Sequence, residues 1–498
     1  VSVERLQADV VVVGSGAGGG VVAAELAAAG RKVVIVEEGA HEPASAFTQR
    51  DGDMYRKLFR DAGFQSTEDA SVNVLQGSCV GGSTVVNMAD VTPLPADLLA
   101  FWRTRYDLEG ITAGDLAPSE ARVRTEIGAG PIAEHNINAG NDALLTGARR
   151  LGWQGGVFED NRVGCIGSGY CQLGCAYDAK RSVLVTYVPK ALAHGATLKS
   201  GYRVERVRMH KRRAVGIYAT GDSARGAQSA ELVVDADAVF VCAGAIHTPL
   251  ILMRSKLRNR SIGRNLSLQP QAPVVARFDR RMRSFRGIPQ SVFVDEFEAL
   301  STADGFSGFR VEGIFGPPGT ASAFLPGFGE SAWPILTRYD QLAAALVLVP
   351  DRPAGRVRGY NGQFYPRIVY QPQHDVLMRL KQGIEAAGKL YFAAGAKEVY
   401  LPLHGAISVD SPAAMCVALE RADLAPAAIR LISAHPQGTA RMTENPRRGV
   451  VDSNFRVRGV QGLYVADSSI FPTTAASHTM LPIMTMADLA ARRFLGQA

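Results

Sequence analysis

Apolar residues fall in an ordered series at the N-terminus. Asp9–Val13 is a short, nearly uninterrupted run, Val21–Ala29 is a small-residue helical stretch, and Lys32–Val36 is a second short run closing on Glu37. Short continuous runs mark strands buried on both faces, as in a parallel sheet, and the stretch between them is long enough for a crossover helix. The turn leaving the first run is Gly14-Ser15-Gly16-Ala17-Gly18-Gly19. The predicted unit is strand, glycine turn, helix, strand, acid.

The pattern further along predicts two layers. Gln76–Asn87 (QGSCVGGSTVVN) is a Gly/Ser loop of the kind that brings backbone N–H groups to a planar or anionic ligand. Ser182–His194 reads as a polar-to-helical run, and Ala196–Val207 and Ala214–Thr220 as strands around a basic turn. Ala238–Cys242 is a buried strand leading through a Gly-containing turn into a helix, a second βα unit of the same parallel sheet. From Leu268 to about Arg430 the Pro and aromatic content rises. Gln290–Glu298 and Arg367–Gln371 alternate, and a helix is predicted over Asp375–Ala394. This reads as a separate antiparallel sheet with flanking helices, the natural place for a substrate cavity. Val450–Asp467 returns to a strand ending in GLYVAD, and a helix over Leu481–Leu495 covers the sheet. The fold class is α/β. A Rossmann-like dinucleotide-binding domain is expected from residues 1–267, with inserted loops around 90–185, and again from 431–498, with a substrate domain over 268–430.

The glycine turn has a mechanism. Gly14 permits the tight turn, Gly16 lets a pyrophosphate approach the backbone, and Gly19 allows close helix–strand packing. Ser15 and Gly18 complete the turn, and the free N–H groups of the helix N-terminus face the phosphates. Glu37, 23 residues after Gly14, sits where a carboxylate accepts ribose hydroxyls, which disfavours a 2′-phosphate and hence NADP. A Gly-rich turn in an ordinary βαβ unit is the bland alternative, but the strand, helix, second strand and acid are all in place.

A chain of 498 residues, 47% hydrophobic and 20% charged, has room for two or three domains with sizeable cores. No apolar run reaches the length of a membrane span, and no internal repeat or signal peptide is visible. The chain starts at Val1 rather than Met, which is compatible with a leader removed before this numbering. The net charge of +7 raises nucleic acid as a partner. The basic residues lie in short clusters with few aromatics, as on solvated faces, so no nucleic acid is expected. A weak attraction to an anionic membrane surface or an acidic electron acceptor stays open. Of six cysteines, Cys165, Cys171 and Cys175 crowd into a C-x5-C-x3-C segment. A structural zinc or an iron–sulfur cluster wants four ligands, so the segment reads as a packing loop, with room for one disulfide, and no metal is expected. The cysteine usage fits a reducing, cytoplasmic location.

Two C-terminal histidines stand in marked settings, His435 in SAHPQGTARM and His478 in SHTMLPIMTMADLA. An arbitrary histidine merely satisfies a hydrogen bond in a core or loop. That reading is kept for the other seven, with His247 in AGAIHTP and His404 the ones to watch.

Taken together, these blocks make the sequence similar to the glucose–methanol–choline oxidoreductase family of flavoproteins. The resemblance runs over nearly the whole chain: VVVGSGAGGGVVAAELAAAGRKVVIVEEG, GSCVGGSTVVN, AGAIHTP, HPQGTARM, GVVDSNFRVRGVQGLYVADSSIFPT and SHTMLPIMTMA. The Cys165–Thr186 segment and the TP-containing stretch after Asn87 are most similar to bacterial relatives of the long-chain alcohol oxidases. The resemblance implies FAD as cofactor, with Glu37 on the adenosine ribose. Gly81, Gly82, Ser83, Asn87 and Met88 would line the pyrophosphate and flavin edge, Val204 would meet the adenine, and Ala243 would lie on the cofactor path. Asp467 would sit near the ribityl and pyrophosphate groups, with Thr479 and Met480 at the flavin ring. It makes His435 the catalytic histidine, and His478 the position that is His or Asn in relatives. The loop after Asn87 carries some relatives' covalent FAD, but no histidine lies between His41 and His135. Non-covalent FAD is therefore expected.

The chemistry suits the pair. Oxidising an alcohol removes a hydroxyl proton and a hydride from carbon. An imidazole accepts the proton near neutral pH, a second hydrogen-bonding side chain holds the oxygen, and the flavin takes the hydride. The expected activity is FAD-dependent oxidation of an apolar alcohol, with oxygen or another acceptor regenerating the flavin. The alternative is a carbon–carbon lyase of the hydroxynitrile-lyase type, which keeps FAD without net redox.

Overall fold

The computed structural model describes residues 2–301, 305–325, 329–360, 363–405 and 407–498. Its first layer is the predicted parallel sheet. Strand Val3–Val13 pairs in parallel with Val33–Glu37, and that strand with Thr197–Ser200. On its other side Val3–Val13 runs in parallel register with Glu231–Val241 along its whole length, from Val3 opposite Glu231 to Val13 opposite Val241. The continuous apolar runs are buried as expected: Val10, Val11, Val12 and Val13 are nearly inaccessible.

Glu231–Val241 splits its outer edge between two partners. Its first half pairs antiparallel with Arg213–Gly221, which continues into Tyr202–His210. Its second half pairs in parallel with Leu463–Val465. That C-terminal strand thus ends beside the glycine turn and brings Asp467 to the ligand-facing edge of the sheet, where open α/β sheets bind ligands. Helix Ala17–Ala28 packs against helices Met480–Phe494 and Tyr187–Ala193, so it is apolar on nearly every side.

The second layer is a nine-stranded sheet among the described residues. Its order is Ser408–Val409, Glu398–Tyr400, Gln271–Arg277, Leu342–Leu348, Arg310–Ile314, Val292–Val294 and Gly155–Val157, all antiparallel. Leu431–Ser433 joins Gln271–Arg277 and pairs in parallel with Val72–Val74. Period-two alternation divides its faces. Ala272, Val274, Ala276, Ala343, Ala345 and Val347 pack in one core with residues of helices His374–Ala393 and Ala139–Leu151. Gln271, Pro273, Val275, Leu342, Ala344, Leu346 and Leu348 line a cavity on the other face.

Several expectations shift. Helix Ala17–Ala28 starts directly from the glycine turn, and the helix expected over Ser182–His194 occupies only Tyr187–Ala193. Gln290–Glu298 contributes a shorter strand, Val292–Val294. Arg367–Gln371 belongs to a hairpin, Gly355–Tyr360 with Gln363–Val369, in a separate small sheet. The substrate layer does not end at 268 and 430, because Val72–Val74, Gly155–Val157 and Leu431–Ser433 are strands of its sheet. Gly155–Val157 forms the edge strand beside Val292–Val294, and Val72–Val74 pairs with Leu431–Ser433. No helix among the described residues is long and apolar enough to cross a membrane.

Candidate active site

A trench crosses the ligand-facing edge of the parallel sheet. Gly14, Gly16, Gly18, Glu37, Gly82, Ser83, Val204, Ala243, Asp467 and Thr479 all line it, as the sequence predicts. Gly14 has φ +93° and makes the turn. A Cβ on Gly19 would lie 1.9 Å from the Gly14 carbonyl oxygen, so its glycine serves packing rather than ligand contact. Ser15, Gly19 and Gly81 stand behind the trench wall. Ser15 is fully buried, donates from N and Oγ to Glu37 Oε2 at 2.9 and 2.8 Å, and accepts from Gly81 N at 3.0 Å.

Glu37 is less free than expected. Gly39 N also donates to its Oε1 at 2.8 Å. A carboxylate has about four lone-pair positions, so one remains, on Oε1, for a ribose hydroxyl. The same side chain therefore braces the turn and lines the trench. Glu37→Ala should weaken FAD binding by ~1.5–3 kcal/mol, the range for hydrogen bonds involving a charged group. Titration of apoprotein with FAD checks this, and unchanged affinity removes Glu37 from the site.

The trench fits a dinucleotide diphosphate. Gly16 is the N-cap of a twelve-residue helix and offers no side-chain cap, so the first-turn N–H groups are left for an anion. A second helix, Met480–Phe494, begins at Thr479 with no side-chain cap, where the trench meets the cavity. Asp467 is fastened by Gly244 N at 2.9 Å, Thr248 Oγ1 at 2.5 Å and Ser469 N at 2.8 Å. His247 also lines the trench, where burial, with Arg60 nearby, pushes its imidazole down to about 3 and keeps it neutral. His404 is exposed and lines neither the trench nor the cavity.

Beside the trench lies a cavity of about 230 Å³ lined by His435, His478, Asn87, Met88, Thr479 and Met480. Ala17, Ser83, Ala434, Thr479 and Ile483 line both spaces, so the trench and the cavity adjoin. The two imidazole centroids are 5.6 Å apart at an interplanar angle of 76°. Their surroundings set them apart. His435 Nδ1 lies 2.9 Å from Gln269 Oε1 and 3.4 Å from Gln271 Nε2. The closer partner is an amide oxygen, which only accepts, so Nδ1 carries the proton and Nε2 keeps its lone pair. Burial, helped by His478, pushes this imidazole down to about 3, so His435 is neutral across the ordinary pH range. Gln269 is itself positioned: Asp351 accepts from the backbone N–H groups of Leu268 and Gln269 at 2.9 Å each.

His478 has the opposite bias. Burial alone would lower its pKa, but the Glu312 carboxylate, 3.0 Å from Nε2, raises it above the ordinary histidine value. Glu312 is completely buried. Burial would raise its carboxyl, yet the facing His478 charge, its hydrogen bond and Arg310 hold it below the ordinary value. Gln290 Nε2 donates to the same Glu312 oxygen at 2.6 Å. The site therefore offers one neutral imidazole and one that favours its charged form, the separation expected of an acceptor beside an oxygen-holding donor.

Glu312, Gln290, Gln269 and Asp351 escaped sequence reading, as did two buried cations under the flavin loop. Lys180 donates to the carbonyls of Val85, Asn87 and Cys171 at 2.6, 2.8 and 2.6 Å. Arg162 pairs with Asp160 at 2.6 Å and donates to the Met88 carbonyl, with Cys171 Sγ 3.4 Å away. A trans peptide points its C=O and N–H opposite ways, so the N–H groups of Val86 and Met88 face away from Lys180. The cysteine-rich segment thus buttresses the flavin loop. Its three thiols line one small pocket with Arg162 and Lys180, and all six cysteines are free thiols, so the suggested disulfide is not formed. The only early signal was that Lys180 and Arg162 flank the cysteine run.

Comparison with known proteins agrees with this geometry. Residues 9–55 match an FAD binding domain, and residues 55–271 and 352–487 match GMC oxidoreductase. An uncharacterized GMC-type oxidoreductase of Mycobacterium tuberculosis is 35% identical over 97% of this chain and 75% of its own length. A long-chain-alcohol oxidase of Arabidopsis thaliana is 27% identical over 98% of this chain and 67% of its own. The crystal structure of pyridoxine 4-oxidase from Mesorbium loti superposes with a TM-score of 0.74 at 17% identity, covering 98% of this chain and 99% of that one. The fold and the family matches define an FAD-dependent oxidoreductase. The chain belongs to the GMC oxidoreductase family.

Proposed function

We propose that this enzyme oxidises an apolar alcohol to its aldehyde or ketone, with non-covalently bound FAD. When bound, FAD supplies the hydride acceptor. The chain's own groups do the rest. His435 Nε2 takes the hydroxyl proton, and His478, whose Nε2–H is held by Glu312, stabilises the alcohol oxygen with its positive charge.

The observation that carries the substrate class is the cavity floor. Pro273, Val275, Ile314, Leu342, Ala344, Leu346 and Leu348 make it, with Glu312, Gln290 and the two histidines on the same cavity. Register sets them in rows: Pro273, Leu346 and Glu312 in one, Val275, Ala344 and Ile314 in the next. From Leu348 to Leu342 the floor runs ~20 Å at the usual rise of a strand. Such a surface favours an extended or multi-ring apolar body with a single hydroxyl at one end. The long-chain-alcohol oxidases among the relatives point the same way. Non-covalent attachment is supported by the flavin loop, which has no histidine and whose Cys79 donates weakly to the Gly82 carbonyl oxygen, 3.8 Å away.

An anaerobic alcohol screen monitoring flavin absorbance, followed by admission of air, tests this reading. Aliphatic, aromatic or terpenoid alcohols should bleach the flavin far faster than sugars or choline. The reverse order refutes the apolar substrate, and bleaching by none favours a lyase. Acid precipitation should leave all yellow colour in the supernatant; colour in the pellet refutes non-covalent FAD.

A further inference from the structure

The cavity wall beside His478 carries a carboxylate with no part in the reading above. Asp90 lies in the short strand Asp90–Val91, paired with Glu159–Asp160. It is 4% exposed and lines the cavity. Its Oδ2 is 3.9 Å from His478 Nε2, beyond hydrogen-bond reach, and its Oδ1 has no hydrogen-bond partner among the described residues.

The charges that face it are already matched. His478 and Arg162 are the nearby cations, and Glu312 and Asp160 the nearby anions. His478 is held by Glu312 at 3.0 Å and Arg162 by Asp160 at 2.6 Å. Asp90 is the unmatched acid. Burial dominates and pushes its carboxyl up to about 7. An isolated buried carboxylate is costly to keep ionised, so a proton offered at neutral pH is readily taken.

Alcohol oxidation releases one proton for each hydride removed. His435 cannot keep it, because its buried imidazole resists charge. His478 already favours its charged form against Glu312. Of the remaining acids and bases on the cavity wall, Tyr55 is a phenol raised further by burial. That leaves Asp90.

We propose that Asp90 is the proton store of the active site, its free carboxylate oxygen holding the proton that the alcohol loses. The proposal rests on the alcohol-oxidising reading. In the net step the O–H bond breaks and its proton ends on Asp90 as a carboxylic acid. The C–H bond breaks and its electron pair leaves with the hydrogen as hydride to the bound flavin. The O–H electrons form the second carbonyl bond, and the negative charge lost by Asp90 reappears on the reduced flavin.

The test is proton counting. FAD-loaded wild type and Asp90→Asn, nearly isosteric and unable to ionise, are mixed anaerobically with the best alcohol in weak buffer containing a pH indicator. At about pH 8.5 Asp90 starts ionised, and the negative charge gained by the neighbouring flavin is what holds the proton on it, so wild type should release clearly less than one proton per flavin bleached, and Asp90→Asn close to one. Equal release by the two enzymes, or release near one by wild type alone, overturns the proposal while leaving alcohol oxidation intact. A proton titration of the ligand-free pair needs no substrate. Wild type should bind one more proton than Asp90→Asn, with a midpoint near 7. A midpoint at the ordinary aspartate value also overturns it, whereas failure of every alcohol to bleach the flavin while this midpoint holds near 7 refutes the alcohol reading instead.

Discussion

His435→Ala should hold FAD as the parent does and reduce it with the best alcohol ~10²–10⁴-fold more slowly, the usual reach of a positioned acid–base group. The two halves of this expectation have separate causes. His435 lines the substrate cavity and not the trench, where its neighbours Ala434 and Pro436 stand instead. Removing its imidazole leaves the cofactor walls intact. The rate falls because Nε2, left with its lone pair by the Nδ1 contact to Gln269, is the acceptor for the hydroxyl proton. Its depressed pKa does not disqualify it: the accepting form is neutral imidazole, and burial keeps it neutral. His478→Asn should be milder, because an amide still offers the substrate oxygen a polar partner, and His478→Ala should lie between. Stopped-flow flavin reduction ranks the three. Wild-type rates in both alanine variants would make the pair structural.

Glu312→Gln should lower stability by about 3–5 kcal/mol at most, the cost of breaking a buried charge pair, and the loss should depend on pH in a defined direction. His478 is raised in the folded protein, so its share is full below the ordinary value of 6.5 and is lost as pH rises through the raised value. Glu312 is lowered, so its share is full above the ordinary value of 4.5 and is lost as pH falls through the lowered value. The gap in Tm between parent and Glu312→Gln should therefore be widest between 4.5 and 6.5 and narrow on either side. The variant should also weaken the bias of His478 toward its charged form, since only the more distant Asp90 carboxylate then opposes burial and Arg310, and flavin reduction should slow with it. A gap in Tm that does not change with pH would show that Glu312 and His478 are not a charge pair.

The sequence by itself determined the cofactor half of this protein. Gly14, Gly16, Gly18, Glu37, Val204, Ala243 and Asp467 all line the trench. Only the family resemblance pointed to Val204 and Ala243, and Asp467 was read from its place at a strand end, whereas Gly14, Gly16, Gly18 and Glu37 were legible in the residues themselves. They were legible because a βαβ turn is local. The strand, the turn and the helix N-terminus are contiguous, and their chemistry follows from spacing alone. His435 and His478 were legible through their setting, and they do meet at the cavity.

The tertiary structure alone decided what those histidines are. Glu312 lies 166 residues from His478, and Gln269 the same separation from His435. Each meets its histidine only because a strand or strand end of the second sheet presents that position to the cavity. A strand shows alternate residues to opposite faces, so a one-residue slip would turn Glu312 from the cavity into the helix-packed core. Sequence around Arg310–Ile314 does not reveal which face is which; pairing with Leu342–Leu348 does. The same holds for Asp90, Lys180 and Arg162. Their types are common and their spacing is silent, and their roles come from burial in an enclosed space, where an unmatched charge is expensive and a matched one fixes a proton.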